Sequence, residues 1–197
     1  MTKIVEFYFD VGSPTAYLAY NRLKQLQKQY NCVIDYRPVL LGGLFKASGN
    51  SSPVMVPAKG RYMMMDDLPR FAKLYDVPLN NNPHFPINTL NLMRGAVAAL
   101  HGDYFDTYIS AVFNAIWVDS KNMGDMETVI EVLSTAGLNA PSILESTQDA
   151  DIKAKLITNT EAAVKRGLFG APTMFVDGEM FFGQDRLQFV EMALQTK

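Results

Sequence analysis

At 197 residues, with 48% of them hydrophobic, the chain can bury a sizeable core as one domain, or as one domain with a substantial insertion. Its 18 Lys and Arg against 20 Asp and Glu give a net charge of −2, which removes the electrostatic case for nucleic acid. The single cysteine, Cys32, excludes an intrachain disulfide framework and an internal dithiol couple, and no run approaches the roughly 20 apolar residues of a membrane span.

The N-terminus, MTKIVEFYFD, lacks the apolar run of a signal peptide and leads directly into a strand, so a soluble, cytoplasmic protein without a membrane role is expected. Residues 3–10 read as a strand with Val5, Phe7 and Phe9 on one face. Ser13-Pro14 then opens a helix over 14–30. Ser is a strong N-cap, and Pro suits the first helical position because that N–H has no partner anyway. A strand, a tight turn and a helix N-terminus also make a place that favours an anion. On its own residues Ser13 reads first as a cap. Residues 32–40 read as a second strand holding Cys32, so the chain opens β-α-β with a parallel pair.

Residues 42–60, rich in Gly, Ser and Pro, read as a long packed loop. Its Lys46, Asn50 and Lys59 are either solvated lysines and a turn asparagine or groups facing a ligand. A helix over 61–76 is interrupted at Pro69, and Met63 to Met65 read as core filler. An irregular stretch over 77–87 carries His84, structural or exposed unless a site recruits it. Helices follow over 88–101 and 104–118, then one capped by Asp125 and ended by Gly137, a short one after Pro141, and one over 149–166. The pattern changes at residue 167. Met174 to Val176 read as a strand, Asp177-Gly178 as a hairpin turn and Met180 to Phe182 as the return; Asp185 is a plausible cap for a closing helix.

That order, β-α-β, helices, β-β-α, is an α/β thioredoxin-like fold with a helical domain inserted in its middle. Residues 1–41 and 166–197 form its two parts and 42–165 the insertion. Three motifs carry a family resemblance over the whole chain: FYFDVGSPTAYLA, GGLFKASGNSSPVMVPAKGRYM and FGAPTMFVDGEMFFGQDRL. With them the chain resembles the 2-hydroxychromene-2-carboxylate isomerases and the kappa-class glutathione transferases, branches of the DsbA-like thioredoxin superfamily.

Thiol oxidoreductases of that superfamily open the first helix with CxxC, where this chain has Ser13-Pro14-Thr15-Ala16. A helix terminus suited to a thiolate remains, without a thiolate on the chain. The resemblance implies that glutathione supplies it, with Ser13 donating to the bound sulfur and lowering its pKa. It implies that Gly170-Ala171-Pro172-Thr173 is a cis-proline loop whose Ala171 backbone pairs with the tripeptide like an added strand. It implies that Gly183, Gln184, Asp185 and Arg186 hold the γ-glutamyl end, and that Asn50, Lys46, Lys59 and His84 line the second substrate's side.

The expected activity is a glutathione-dependent isomerisation of an aromatic or unsaturated keto acid, as in aromatic catabolism. A glutathione transferase and a non-catalytic glutathione binder are the alternatives. No metal is called for, the partner is a small molecule, and a homodimer is a family implication.

Overall fold

In the computed structural model, which describes residues 2–196, β1 (Ile4–Phe9) is an inner strand of a four-stranded sheet. β2 (Val33–Pro38) runs parallel to it, with Ile4 opposite Val33 and Phe9 opposite Pro38. β3 (Thr173–Val176) is antiparallel on its other side, and β4 (Glu179–Phe182) completes the order β2-β1-β3-β4. The expected thioredoxin-like arrangement is therefore the one observed.

Alternation along β1 explains why both sheet faces are covered. Val5, Phe7 and Phe9 enter the main core with Met174, Val176 and the helix α1 (Pro14–Tyr30), which supplies Tyr17, Leu23 and Leu26. Tyr8, on the opposite face, joins a second cluster of Val39, Leu44, Ala163, Leu168 and Phe175. The hairpin between β3 and β4 turns at Asp177 and Gly178, whose φ angles of 50° and 85° are the left-handed pair that a two-residue hairpin needs.

Between β2 and β3 the described residues form helices and turns with no strand. The segment expected as a loop over 42–60 is a correction: it holds α2 (Leu41–Ser48), a 3-10 turn (Pro53–Met55) and α3 (Pro57–Tyr62). Two glycines make α2 a poor helix by propensity, but tertiary contacts hold it. Leu44 is fully buried, the Leu40 N–H donates to Thr160 Oγ1 at 3.0 Å, and the Leu41 N–H donates to Asp10 Oδ2 at 2.9 Å.

The interruption expected at Pro69 is present. A π-helical turn (Met63–Asp67) precedes α4 (Leu68–Tyr75), as suits a proline that cannot donate into the preceding turn. Met63 and Met64 pack against the core, but Met65 is exposed, so one of the three is not core filler.

Then come α5 (Leu90–Leu100), α6 (Phe105–Trp117), α7 (Met126–Thr135), α8 (Ala140–Ser146) and α9 (Ala150–Lys165). Asp125 caps α7 as expected, accepting from the Thr128 N–H at 2.9 Å. α2 and α9 pack on each other and on the sheet; α5 packs on α6 and α8, and α7 packs on the same two helices. α10 (Leu187–Gln195) closes the chain against α1. No helix is long and apolar enough to cross a membrane among the described residues.

Candidate active site

The site forms where β1 ends. The Ser13 N–H donates to the Asp10 carbonyl at 3.0 Å, which turns the chain sharply into α1. Ser13 sits in extended backbone (φ −95°, ψ 117°), and its Oγ accepts from the Ala16 N–H at 3.1 Å, so it is an N-cap. That does not exhaust it. Oγ is also 2.7 Å from Thr15 Oγ1 and donates to the Ala171 carbonyl at 3.3 Å, and the residue is buried. A cap alone has no need of a partner 158 residues away.

That partner lies in the loop expected to hold a cis proline, and the Ala171–Pro172 peptide is cis. The ladder pairs of β3 stop at Thr173, so the Ala171 backbone, in the bend just ahead of the strand, has no ladder partner. The Pro172 carbonyl accepts from the Gly183 N–H at 3.0 Å, which joins this loop to the next motif. Gly183 has φ 99°, a left-handed conformation that favours glycine; a Cβ there would also meet the Asp185 carboxylate, which would have to turn aside. Gln184 is buried, and its carbonyl accepts from the Tyr75 hydroxyl at 2.6 Å.

Asp185 does not cap the closing helix, which is a correction. Gln184–Arg186 form a 3-10 turn ahead of α10, so Asp185 falls inside the turn and its carboxylate pairs with Arg186 at 2.8 Å.

Asn50 also reaches this cluster: its Nδ2 donates to the Phe169 carbonyl at 2.9 Å, one residue before Gly170. Ser13, Asn50, Ala171, Pro172, Gly183 and Gln184 are thus linked through shared loops. Lys46, Lys59 and His84 are not drawn in by any side-chain bond. All three are exposed, and among the described residues none has a side-chain hydrogen bond or ion pair. Lys46 lies one turn before Asn50 in α2, and Lys59 lies on α3. His84 adjoins Phe85, which packs on Trp117.

Two residues escaped the sequence reading. Asp10 is a buried carboxyl that accepts from the N–H groups of Gly12 and Leu41, both at 2.9 Å. Burial pushes its pKa up, against the pull of those donors and of the Thr89 hydroxyl. An acid closing the apolar run FYF was the available signal. Tyr75 holds Gln184 from α4, and burial raises its hydroxyl to about 12, with Arg22 opposing the rise. Nothing local in the sequence marks it.

Cys32 is buried, and burial raises its thiol pKa. It precedes Val33, at the opposite end of the parallel pair from Ser13. Five residue steps at about 3.3 Å separate the two ends by roughly 17 Å. Cys32 is therefore no substitute for the missing cysteines.

The DSBA-like thioredoxin domain family matches residues 4–195. A 2-hydroxychromene-2-carboxylate isomerase from Sphingobium xenophagum is 34% identical over 200 residues, covering 98% of this chain and 99% of that protein. Glutathione S-transferase kappa 1 from Rattus norvegicus is 31% identical over 209 residues, covering 99% and 92%. The solved structure of a 2-hydroxychromene-2-carboxylate isomerase superposes with a TM-score of 0.85 at 31% identity, covering 97% of this chain and 94% of that one.

Proposed function

We propose, on the premise that the chain belongs to the DSBA-like thioredoxin domain family, that it is a glutathione-dependent isomerase acting on an aromatic or unsaturated keto acid of the 2-hydroxychromene-2-carboxylate kind. The observation that carries the reading is Ser13. Where a family member working through its own thiol has a cysteine, this chain has a buried hydroxyl. It stands at a helix N-terminus, within hydrogen-bond reach of the cis-proline loop.

The donor set fits glutathione. The unladdered Ala171 backbone offers a strand edge to a peptide. The turn at Gly183–Arg186 offers an acid for an ammonium group and backbone N–H groups for a carboxylate. When bound, glutathione supplies a thiolate able to add reversibly to a conjugated carbon and leave again unchanged.

The chain's own work is to hold that sulfur as an anion. The Ser13 O–H can turn from the Ala171 carbonyl toward it, while the Ala16 N–H keeps Oγ in place. The positive end of α1 favours the same charge. Asn50 fixes the loop that carries Ala171. Lys46 and Lys59 are the cations proposed to meet the substrate carboxylate, and His84 is proposed to line its far side.

Similarity to the rat kappa transferase supports a second reading, in which glutathione is consumed. A time course with 2-hydroxychromene-2-carboxylate and substoichiometric glutathione separates the two. Many turnovers per glutathione with constant free thiol are expected. Loss of thiol in step with product assigns the transferase. Glutathione binding without turnover on either an isomerase or an electrophile panel leaves a binder.

A further inference from the structure

A cleft of about 360 Å³ opens where α2, α5 and α9 meet, and none of its lining residues belongs to the Ser13 cluster. Leu40, Leu90, Leu156, Ile157 and Val164 make its wall apolar, and Ala47 borders it from α2. Four charged residues also line it: Arg94 from α5, and Lys153, Glu161 and Lys165 from α9. None of the four makes an ion pair among the described residues. Arg94 and Lys153 are half-buried, their stems lying against the apolar wall.

We propose that this cleft is a second binding site, for a small molecule with an apolar body and a single carboxylate. The volume is that of a small-molecule site. The wall supplies affinity in proportion to the apolar surface it covers. Three cations against one carboxylate leave a positive surplus beside that wall, and a cation's hydrogen bond to an anion is stronger than one between neutral groups. A neutral lipid satisfies the wall and leaves the cations as they are; a hydrophilic anion satisfies the cations and leaves the wall wet. Leu40 precedes Leu41 and Leu90 follows Thr89, the two residues that reach the Asp10 carboxyl, so two lining residues are chain neighbours of the groups that hold Asp10. The proposal does not depend on the glutathione reading.

Calorimetric titration of the full chain with decanoate, octanoate and decanol tests it. One saturable decanoate per chain is expected. Octanoate should bind about 15-fold more weakly, at about fourfold per buried methylene, and decanol at least several-fold more weakly than decanoate. Arg94→Gln should weaken decanoate and spare decanol. Ala47→Trp, which fills the cleft from an exposed position, should abolish both and leave glutathione titrations unchanged. If that variant does not fold, Ile157→Trp fills the cleft from α9.

The proposal is overturned by the absence of saturable decanoate binding, by equal affinity for decanoate and decanol, or by binding that survives the filled cleft. A dimer in sedimentation that either tryptophan variant converts to monomer would also overturn it, by assigning the cleft to a second copy of the chain.

Discussion

Ser13 makes two bonds through one oxygen, and their effects can be separated. Its cap on Ala16 belongs to folding, and its bond to the Ala171 carbonyl is the one proposed to serve the site. Ser13→Ala should cost about 1 kcal/mol of stability, the usual value of a cap. Turnover should fall about 100- to 1000-fold, the usual cost of losing one preorganised donor to an anion. Urea denaturation and steady-state rates on the same samples check both numbers; a stability loss with turnover intact leaves Ser13 as a cap only. Cys32→Ser is the matching control and should keep near-wild-type turnover, since that thiol is buried at the far end of the strand pair.

Asp10 makes a pH prediction at the same scale. Burial raises its folded pKa above the unfolded value near 3.9. Its stabilisation is therefore complete below the ordinary carboxylate range and is lost as pH rises through the raised folded value. Asp10→Asn carries no titrating carboxyl and should show a flatter stability profile as pH rises above about 4. Parallel profiles for the two proteins, read from urea midpoints, would refute a raised Asp10 pKa.

Among the elements, α2 shows how a helix can be imposed from outside. Its local sequence holds two glycines and no capping side chain, while Leu44 anchors it beside Val39, Ala163 and Phe175. Leu44→Ala should destabilise by about 2–5 kcal/mol, the range for a buried leucine. Asn50 follows α2 and holds the cis-proline loop, so looser seating of α2 should also raise KM for glutathione more than it lowers kcat. Chemical denaturation and a glutathione saturation series test the two effects. A large stability loss with unchanged KM would mean that Asn50 is held without α2. Helix α1 is the opposite case: Ser13 and Pro14 start it, Asn31 in left-handed backbone ends it, and its buried residues recur at helical spacing.

At the scale of the molecule, the helical part and the sheet meet behind the site. The Trp117 indole in α6 donates to the Val11 carbonyl at 2.9 Å, between Asp10 and Gly12. Both residues are fully buried, so Trp117→Phe leaves a carbonyl without a partner as well as a void. The lost bond alone should cost about 1–3 kcal/mol, and the Ser13 turn should shift enough to weaken glutathione binding. Thermal unfolding with and without glutathione reads both; destabilisation with an unchanged ligand-induced shift would limit Trp117 to packing.

The sequence alone carried whatever depends on neighbours along the chain. β1, α1 and the β3–β4 hairpin follow from alternation, from Ser13-Pro14 and from Asp177-Gly178, because strand pleat, helix start and tight turn are each decided within a few residues. Resemblance of its motifs added the cis bond at Pro172. Tertiary structure decided the rest: that 42–60 is largely helical, that Asp10 is a buried carboxyl holding α2, that Tyr75 grips Gln184, and that Asn50 grips Phe169. Those last three bonds join residues 31, 109 and 119 positions apart. No local propensity encodes such a partner, because it is fixed only when the sheet and its helices have packed and buried polar groups must find donors or acceptors within reach.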